Sequence, residues 1–235
     1  MAKYIFYPEA TRGRTEISWL NARHSFNFSR FNDPQRNPFG ALVILNEDII
    51  QPGMGFGIHG HQNMEIISVV LEGRVKHVDS MGNEGFVDEG EAQLISAGSG
   101  ITHSEFNYYN DRRLKLIQIW IEPGRINLKP TYAQMVFDDG IPGVKEIVSP
   151  KGTDNSLTIN QQAWLYFARL PKDQGIDYKV IRPGNGVYVY VVNGQLNILG
   201  KQVKAGDAIG VTDATSFDID VEDDVLAVII DVPMN

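Results

Sequence analysis

The chain has 235 residues, 43% of them hydrophobic, with 23 glycines, 11 prolines, no cysteine and a net charge of −8. That length accommodates one large β domain or two domains of about 100 residues each, with two the better expectation. The missing cysteines exclude disulfides and thiol catalysis, the acidic balance without a basic cluster argues against direct nucleic-acid binding, and no stretch reaches the roughly 20 apolar residues of a membrane span.

The start, MAKYIFYPEA, lacks a basic region followed by a long apolar core and a small-residue cleavage site, so a cytoplasmic monomer is the default expectation. YIFY reads as an opening strand, and TEISWL follows a polar turn as a second. In RHSFNF, alternation places His24, Phe26 and Phe28 on one face if the segment is extended. His24 is read there as a hydrogen-bonded wall residue. The loop NDPQRNPFG is long enough to border a pocket mouth, although such composition also suits a plain connector.

From Ala41 to Ile121 short apolar strands alternate with turns at Glu72-Gly73, Met81-Gly82-Asn83 and Glu89-Gly90, the grammar of a sandwich or barrel, with a jelly-roll barrel fitting best. Within it lie two period-two pairs. His59 and His61 project from one face of a strand, and so do His103 and Glu105. Three imidazoles and a carboxylate, brought together on neighbouring strands, suit one first-row divalent metal with positions left open for substrate or dioxygen. A closed structural zinc site would use thiolates, which this chain lacks. Glu65 is open between bonding a liganding imidazole and starting a strand in solvent. His77, on a polar alternating strand, reads as exposed or locally bonded.

The proline-rich stretch PGRINLKPTYAQMVFDD reads as a connection. Boundaries are expected at 1–125 for a metal-binding domain, 126–145 for the connection and 146–235 for a second domain. The second half repeats the strand, glycine turn, strand pattern: Val192-Asn193-Gly194 matches Leu71-Glu72-Gly73. Through that repeat His59 and His61 map near Val180 and Arg182, and His103 and Glu105 near Ile219 and Val221. No histidine occurs after His103, so the second barrel is expected to lack a metal and to pack against the first, covering its sheet and shaping the pocket. DIDVEDD reads as a solvated acidic turn, because it lacks the glycine and final glutamate of a calcium loop.

These residues carry a family resemblance. Gly53 with His59-x-His61 and Gly73 resembles the first cupin motif, and Gly98-x-Gly100-x-x-His103-x-x-x-Asn107 the second. In the general cupin pattern the fourth ligand is a carboxylate soon after the His-x-His pair, where Glu65 is the nearest candidate; Glu105 is preferred. RHSFNFSRFNDP, FGALVILNEDIIQPGMGFGIHGHQNMEIISVVLEGRVKHVDSMGN and SAGSGITHSEFN are similar to the pirin family, especially bacterial members with quercetin 2,3-dioxygenase activity. The resemblance implies an all-β fold of two cupin domains, a bicupin, with metal ligands at His59, His61, His103 and Glu105. It implies iron as the expected metal, with Mn, Co, Ni, Cu or Zn as other candidates, and a flavonol and dioxygen as substrates. Glu105 is also the candidate acceptor of the flavonol hydroxyl proton. Two other readings of the same ligands are a metal- or redox-sensing regulatory protein without turnover and a cupin isomerase that uses the metal as a Lewis acid.

Overall fold

The protein, a computed structural model in which residues 2–138, 140–152 and 156–234 are described, is built almost entirely of β-strands; a single 3₁₀ turn, Glu9–Thr11, is the one helical element among the described residues. No helix is long and apolar enough to cross a membrane. In the first half a seven-stranded antiparallel sheet runs, edge to edge, Thr131–Val136, Glu91–Ser96, Glu65–Glu72, Leu114–Ile121, Leu42–Ile50, Leu20–His24 and Gly13–Glu16. Opposite it a smaller sheet runs Gly55–His61, Ile101–Asn107, Arg74–Asp79 and Glu84–Asp88.

The second half repeats this plan. Its large sheet contains Lys3–Tyr7, Ala208–Thr212, Asn185–Asn193, Val225–Pro233, Trp164–Leu170, Gly143–Ser149 and Leu157–Thr158, and its small sheet Ile176–Lys179, Ser216–Val221, Gln195–Ile198 and Lys201–Lys204. The all-β, two-cupin architecture expected from the sequence is the observed one. Strand pairing nevertheless crosses the expected boundaries. The opening strand Lys3–Tyr7 pairs with Ala208–Thr212 in the second half, and Thr131–Val136, inside the expected connection, edges the first large sheet beside Glu91–Ser96. Residue 139 of that connection lies outside the described residues.

The large sheets are buried on both faces, which explains why EIISVVLE and VYVYVV are continuous apolar runs instead of alternating ones. Period two still sorts their side chains. Val70 faces the first barrel with Val75, Val87 and Leu116, whereas Ile67 and Val69 join the core between the halves. That shared core is sealed by aromatics: Tyr188, fully buried, has its ring 5.3 Å from Tyr7, 5.4 Å from Phe26 and 5.6 Å from Phe39. The expected TEISWL strand is a hairpin, with Gly13–Glu16 antiparallel to Leu20–His24. Because that second strand ends at His24, Phe26 and Phe28 do not share a face. Phe26 enters the shared core, and Phe28 lines the cavity described below. The NDPQRNPFG loop is an anchored connector: Asn27 and Asp33 bond each other, buried Arg36 donates to the Pro8 and Ser25 carbonyls, and Phe39 sits under Tyr188.

The two small-sheet strands that hold the histidines approach closely at one point. Pairing between Ile101–Asn107 and Gly55–His61 shifts at a bulge between His103 and Glu105, and there Gly55 crosses the partner backbone. A Cβ on Gly55 would sit 2.2 Å from the Glu105 carbonyl oxygen and 2.5 Å from the Phe106 Cα. A Cβ on Gly57 would meet nothing within 4 Å. Gly55→Ala is therefore expected to pry the strands apart and destabilise the protein by about 1–3 kcal/mol, while Gly57→Ala stays within about 0.5 kcal/mol of wild type. Thermal or urea unfolding of the two variants checks this, and equal stability would contradict the close approach.

Candidate metal centre

Three strands of the first small sheet, Gly55–His61, Ile101–Asn107 and Arg74–Asp79, lie side by side and turn alternate residues into the barrel. On Ile101–Asn107 the pattern is strict: Ile101, His103, Glu105 and Asn107 are buried, and Thr102 and Phe106 are exposed. The register sets His103 opposite His59 on one side and opposite Asp79 on the other, and Glu105 opposite His77. Ring nitrogens of His59, His61 and His103 consequently lie within 4.8 Å of one another, and a second group, His77, His103 and Glu105, meets the same limit. His103 belongs to both. Three of the four expected ligands converge, while Glu105 groups with His103 and His77.

The imidazoles are prepared as neutral donors. His59 Nδ1–H donates to the Gly57 carbonyl at 2.8 Å, a bond that leaves Nε2 with the free lone pair. Both ring nitrogens of His103 are buried without a hydrogen-bond partner. Such orphaned nitrogens are costly unless something coordinates them, so the donor set fits a divalent transition metal. Burial lowers His61 to about 4, with the rings of His103 and His59 adding to the shift. Burial likewise lowers His103 to about 3, helped by His59 and His77.

Glu105 is held by three donors. Ser68 Oγ donates to Oε1 at 3.1 Å, the Gln93 amide donates to the same oxygen, and Gln118 Nε2 donates to Oε2 at 2.5 Å. Tyr132 OH in turn donates to Gln93 Oε1 at 3.2 Å, fixing the amide's orientation. Ser68, Gln93 and Gln118 escaped the sequence reading, although a signal exists. Each is a polar residue set between two apolar neighbours within its strand, and a buried polar residue is more informative than an exposed apolar one.

The remaining candidates separate clearly. His24 is the hydrogen-bonded wall residue expected: Nδ1–H donates to Asn46 Oδ1 at 2.9 Å and Nε2 accepts from Thr15 Oγ1 at 2.8 Å. Burial lowers its pKa, so the ring stays neutral. His77 is fully buried, correcting the exposed alternative; it stacks on Tyr132 at 4.5 Å and reaches Asp79 Oδ2 at 3.3 Å. Glu65 takes neither expected role. It is buried at the seam between the halves, accepting from Ser96 Oγ at 2.7 Å and from the Asn160 backbone and side chain at 3.3 Å.

Beside the histidines opens a cavity of about 270 Å³, near the lower end of the range for small-molecule sites. Phe28, Phe56 and Trp120 give it flat apolar walls, and His24, Asn46, Asp48 and Gln118 give it polar ones. Trp120 stands edge-on to His61 at 4.9 Å. All lining residues come from the first half, so the second barrel supports this cavity without forming it. In the second small sheet the equivalent strand positions are apolar. Ile219 and Val221 are buried in its core, as the repeat predicted, but the pairing sets Ile176 opposite Ile219, four residues ahead of the expected Val180.

Comparison with known proteins agrees with this geometry. A family model described as Pirin matches residues 7–121, and one described as quercetinase C-terminal cupin domain matches residues 146–232. The chain is 38% identical over 222 residues to a quercetin 2,3-dioxygenase of Escherichia coli (strain K12), covering 94% of this chain and 95% of that one. It is 35% identical over 221 residues to a putative quercetin 2,3-dioxygenase of Zymomonas mobilis, covering 92% and 93%. The crystal structure of the bacterial pirin YhhW from Escherichia coli in complex with nickel(II) superposes with a TM-score of 0.95 at 36% identity, covering 99% of this chain and 100% of that chain. A quercetin 2,3-dioxygenase from Acinetobacter baumannii shares the fold, with a TM-score of 0.79 at 17% identity, covering 100% of this chain and 88% of that one.

The lowered imidazole pKa values have a definite sign. Between pH 6.5 and 4 an unfolded histidine binds a proton that buried His103 does not, so protonation favours the unfolded chain. Relative to His103→Gln, the metal-free wild-type protein is expected to lose stability as pH falls through this window, by up to about 1.4 kcal/mol per pH unit. Urea unfolding of both proteins in chelator across that range tests it; parallel pH curves would show that His103 titrates normally.

Proposed function

The chain belongs to the pirin family of cupin proteins, and from that premise we propose that it is a metal-dependent dioxygenase that cleaves a flavonol such as quercetin with release of carbon monoxide. The observation that carries this reading is the convergence of three imidazoles, His103 with both nitrogens unpartnered, at a cavity with aromatic walls. The ligands would be His59, His61, His103 and Glu105. A divalent cation held there would supply a Lewis acid that lowers the pKa of a bound hydroxyl and leaves open positions for substrate and dioxygen. Iron is the preferred ion, and nickel is the one named for the similar YhhW structure.

The chain's own residues do the rest. Phe28 and Trp120, packed edge to face with ring centroids 6.0 Å apart, give the cavity apolar walls that would confine a flat ring and limit water at the site. Gln118 and Gln93 hold the Glu105 carboxylate toward His103. The His59 ring is oriented by its Nδ1–H bond to the Gly57 carbonyl before any ligand arrives. Together these residues suit a site that acts on a small aromatic molecule.

Protein reconstituted separately with Fe, Mn, Co, Ni or Cu is expected to release carbon monoxide from quercetin in air with at least one metal, to release none under nitrogen, and to be silent as His61→Ala. Intact quercetin with every tightly bound metal would remove the reaction and leave the site, and a regulatory or non-oxidative role would take its place. Glu105→Gln is expected to retain part of the metal and lose about 10–100-fold in metal affinity or turnover. Metal analysis beside turnover measures this, and a fully active variant would rule out a ligand role for Glu105.

A further inference from the structure

One acidic side chain in the cavity is left without a structural partner. Asp48 occupies an inward position of Leu42–Ile50, is 3% exposed, and lines the cavity with His59, His61 and Gln118. Its Oδ1 is buried with no hydrogen-bond partner. The other buried carboxylates among the described residues are all satisfied: Glu65 by Ser96 and Asn160, Asp79 by Met81 and Asn83, Glu105 by its three donors, and Asp231 by Tyr178, Ile181 and Asn185. A buried acceptor without a donor costs more than an ordinary hydrogen bond returns. Evolution toward stability alone would replace it, so a ligand that completes it is the physical explanation.

We propose that Asp48 accepts the proton of an acidic hydroxyl on the aromatic substrate, engaging it from the large-sheet wall while the imidazoles face it from the small sheet. This rests on reading the cavity as a flavonol site. In the step, the ligand O–H bond breaks, an O–H bond forms on the Asp48 carboxylate, and the electron pair stays on the ligand oxygen, beside the cation site.

The alternatives in the cavity are already engaged. Glu105 already accepts three hydrogen bonds, from Ser68, Gln93 and Gln118. Both nitrogens of His24 are bonded to Thr15 and Asn46. His59 and His61 point their free nitrogens at the metal cluster, and Asn46 and Gln118 do not titrate. Burial pushes Asp48 up to about 7, with Glu105 raising it further, Arg12 opposing and Glu47 adding to the rise, so the carboxyl exchanges protons near neutrality.

The test is a proton inventory on metal-loaded protein, mixed anaerobically with quercetin at pH 8. Binding is followed by the red shift of the deprotonated flavonol band, and proton release by an indicator dye in weak buffer. Wild type is expected to show the shifted band with little proton released. Asp48→Asn is expected either to show the band with about one proton released per flavonol bound or to hold the flavonol neutral, and in air to turn over about 100-fold more slowly. Asp48→Ser gives the same comparison if the asparagine variant does not fold. The shifted band with equal proton release in wild type and variant overturns the role of Asp48. The two readings fail separately: absent carbon monoxide with the expected inventory removes the dioxygenase and keeps Asp48, whereas carbon monoxide with the shifted band and equal release in both proteins does the reverse. A metal-loaded wild-type protein that binds no flavonol overturns both.

Discussion

The pairing of Gly55–His61 with Ile101–Asn107 is the constraint on which the site depends. A one-residue slip in either strand would turn that strand's pair, His59 with His61 or His103 with Glu105, out of the barrel, because side chains alternate with period two. The bulge between His103 and Glu105 and the close approach at Gly55 pin that register. The large sheet then supplies what the small sheet lacks. Ser68, Gln93 and Gln118 reach across from three different strands to hold one carboxylate, and such a network is stable only because each member is satisfied.

The two barrels show how one topology serves two ends. Their small sheets have the same strand order, and the strand at the position of Ile101–Asn107 is Ser216–Val221. Where the first barrel has His77, His103 and Glu105, pairing places Leu196, Ile219 and Val221 in the second. The second interior is therefore largely an apolar core, stabilised mainly by burial. The first gives up part of that stabilisation to a polar, ligand-shaped end. The shared core of Tyr188, Phe26, Phe39 and their neighbours offsets it by joining the halves into one body.

Much of this was legible in the sequence, and the gaps have physical causes. The paired motifs and the repeat are local patterns, so the histidine strands, the jelly rolls and the apolar Ile219 and Val221 of the second barrel could be read directly. The exposed alternative for His77 arose because RVKHVDS alternates polar and apolar residues, and alternation does not say which set faces inward when the barrel interior is itself polar. The opening strand belongs to the far half because its pairing with Ala208–Thr212 spans nearly the whole chain, which no local pattern records. The mapping to Val180 and Arg182 missed by four residues because the turn lengths of the two halves differ, and register follows hydrogen bonding instead of sequence spacing. Glu65 was undecidable because its partner, Asn160, comes from the other half.

The second barrel, though it lines none of the cavity, reaches the chemistry through Leu42–Ile50. Glu47 and Asp48 are neighbours on this strand and face opposite sides. Asp48 looks into the cavity, and Glu47 looks toward the shared core, where Tyr190 OH donates to it at 2.8 Å and Lys115 lies 3.3 Å away. Arg12 then donates to the Tyr190 hydroxyl at 2.9 Å and to the Arg23 carbonyl at 2.8 Å. A tyrosine of the second half thus clamps the strand that presents the cavity's unpartnered carboxyl. Its cost of burial is tolerable only if the wall beneath it cannot relax, because a wall that moved would let the carboxyl find water or a neighbour. Joining the second barrel to the first supplies that rigidity, a structural role for a half whose small sheet packs on an apolar core.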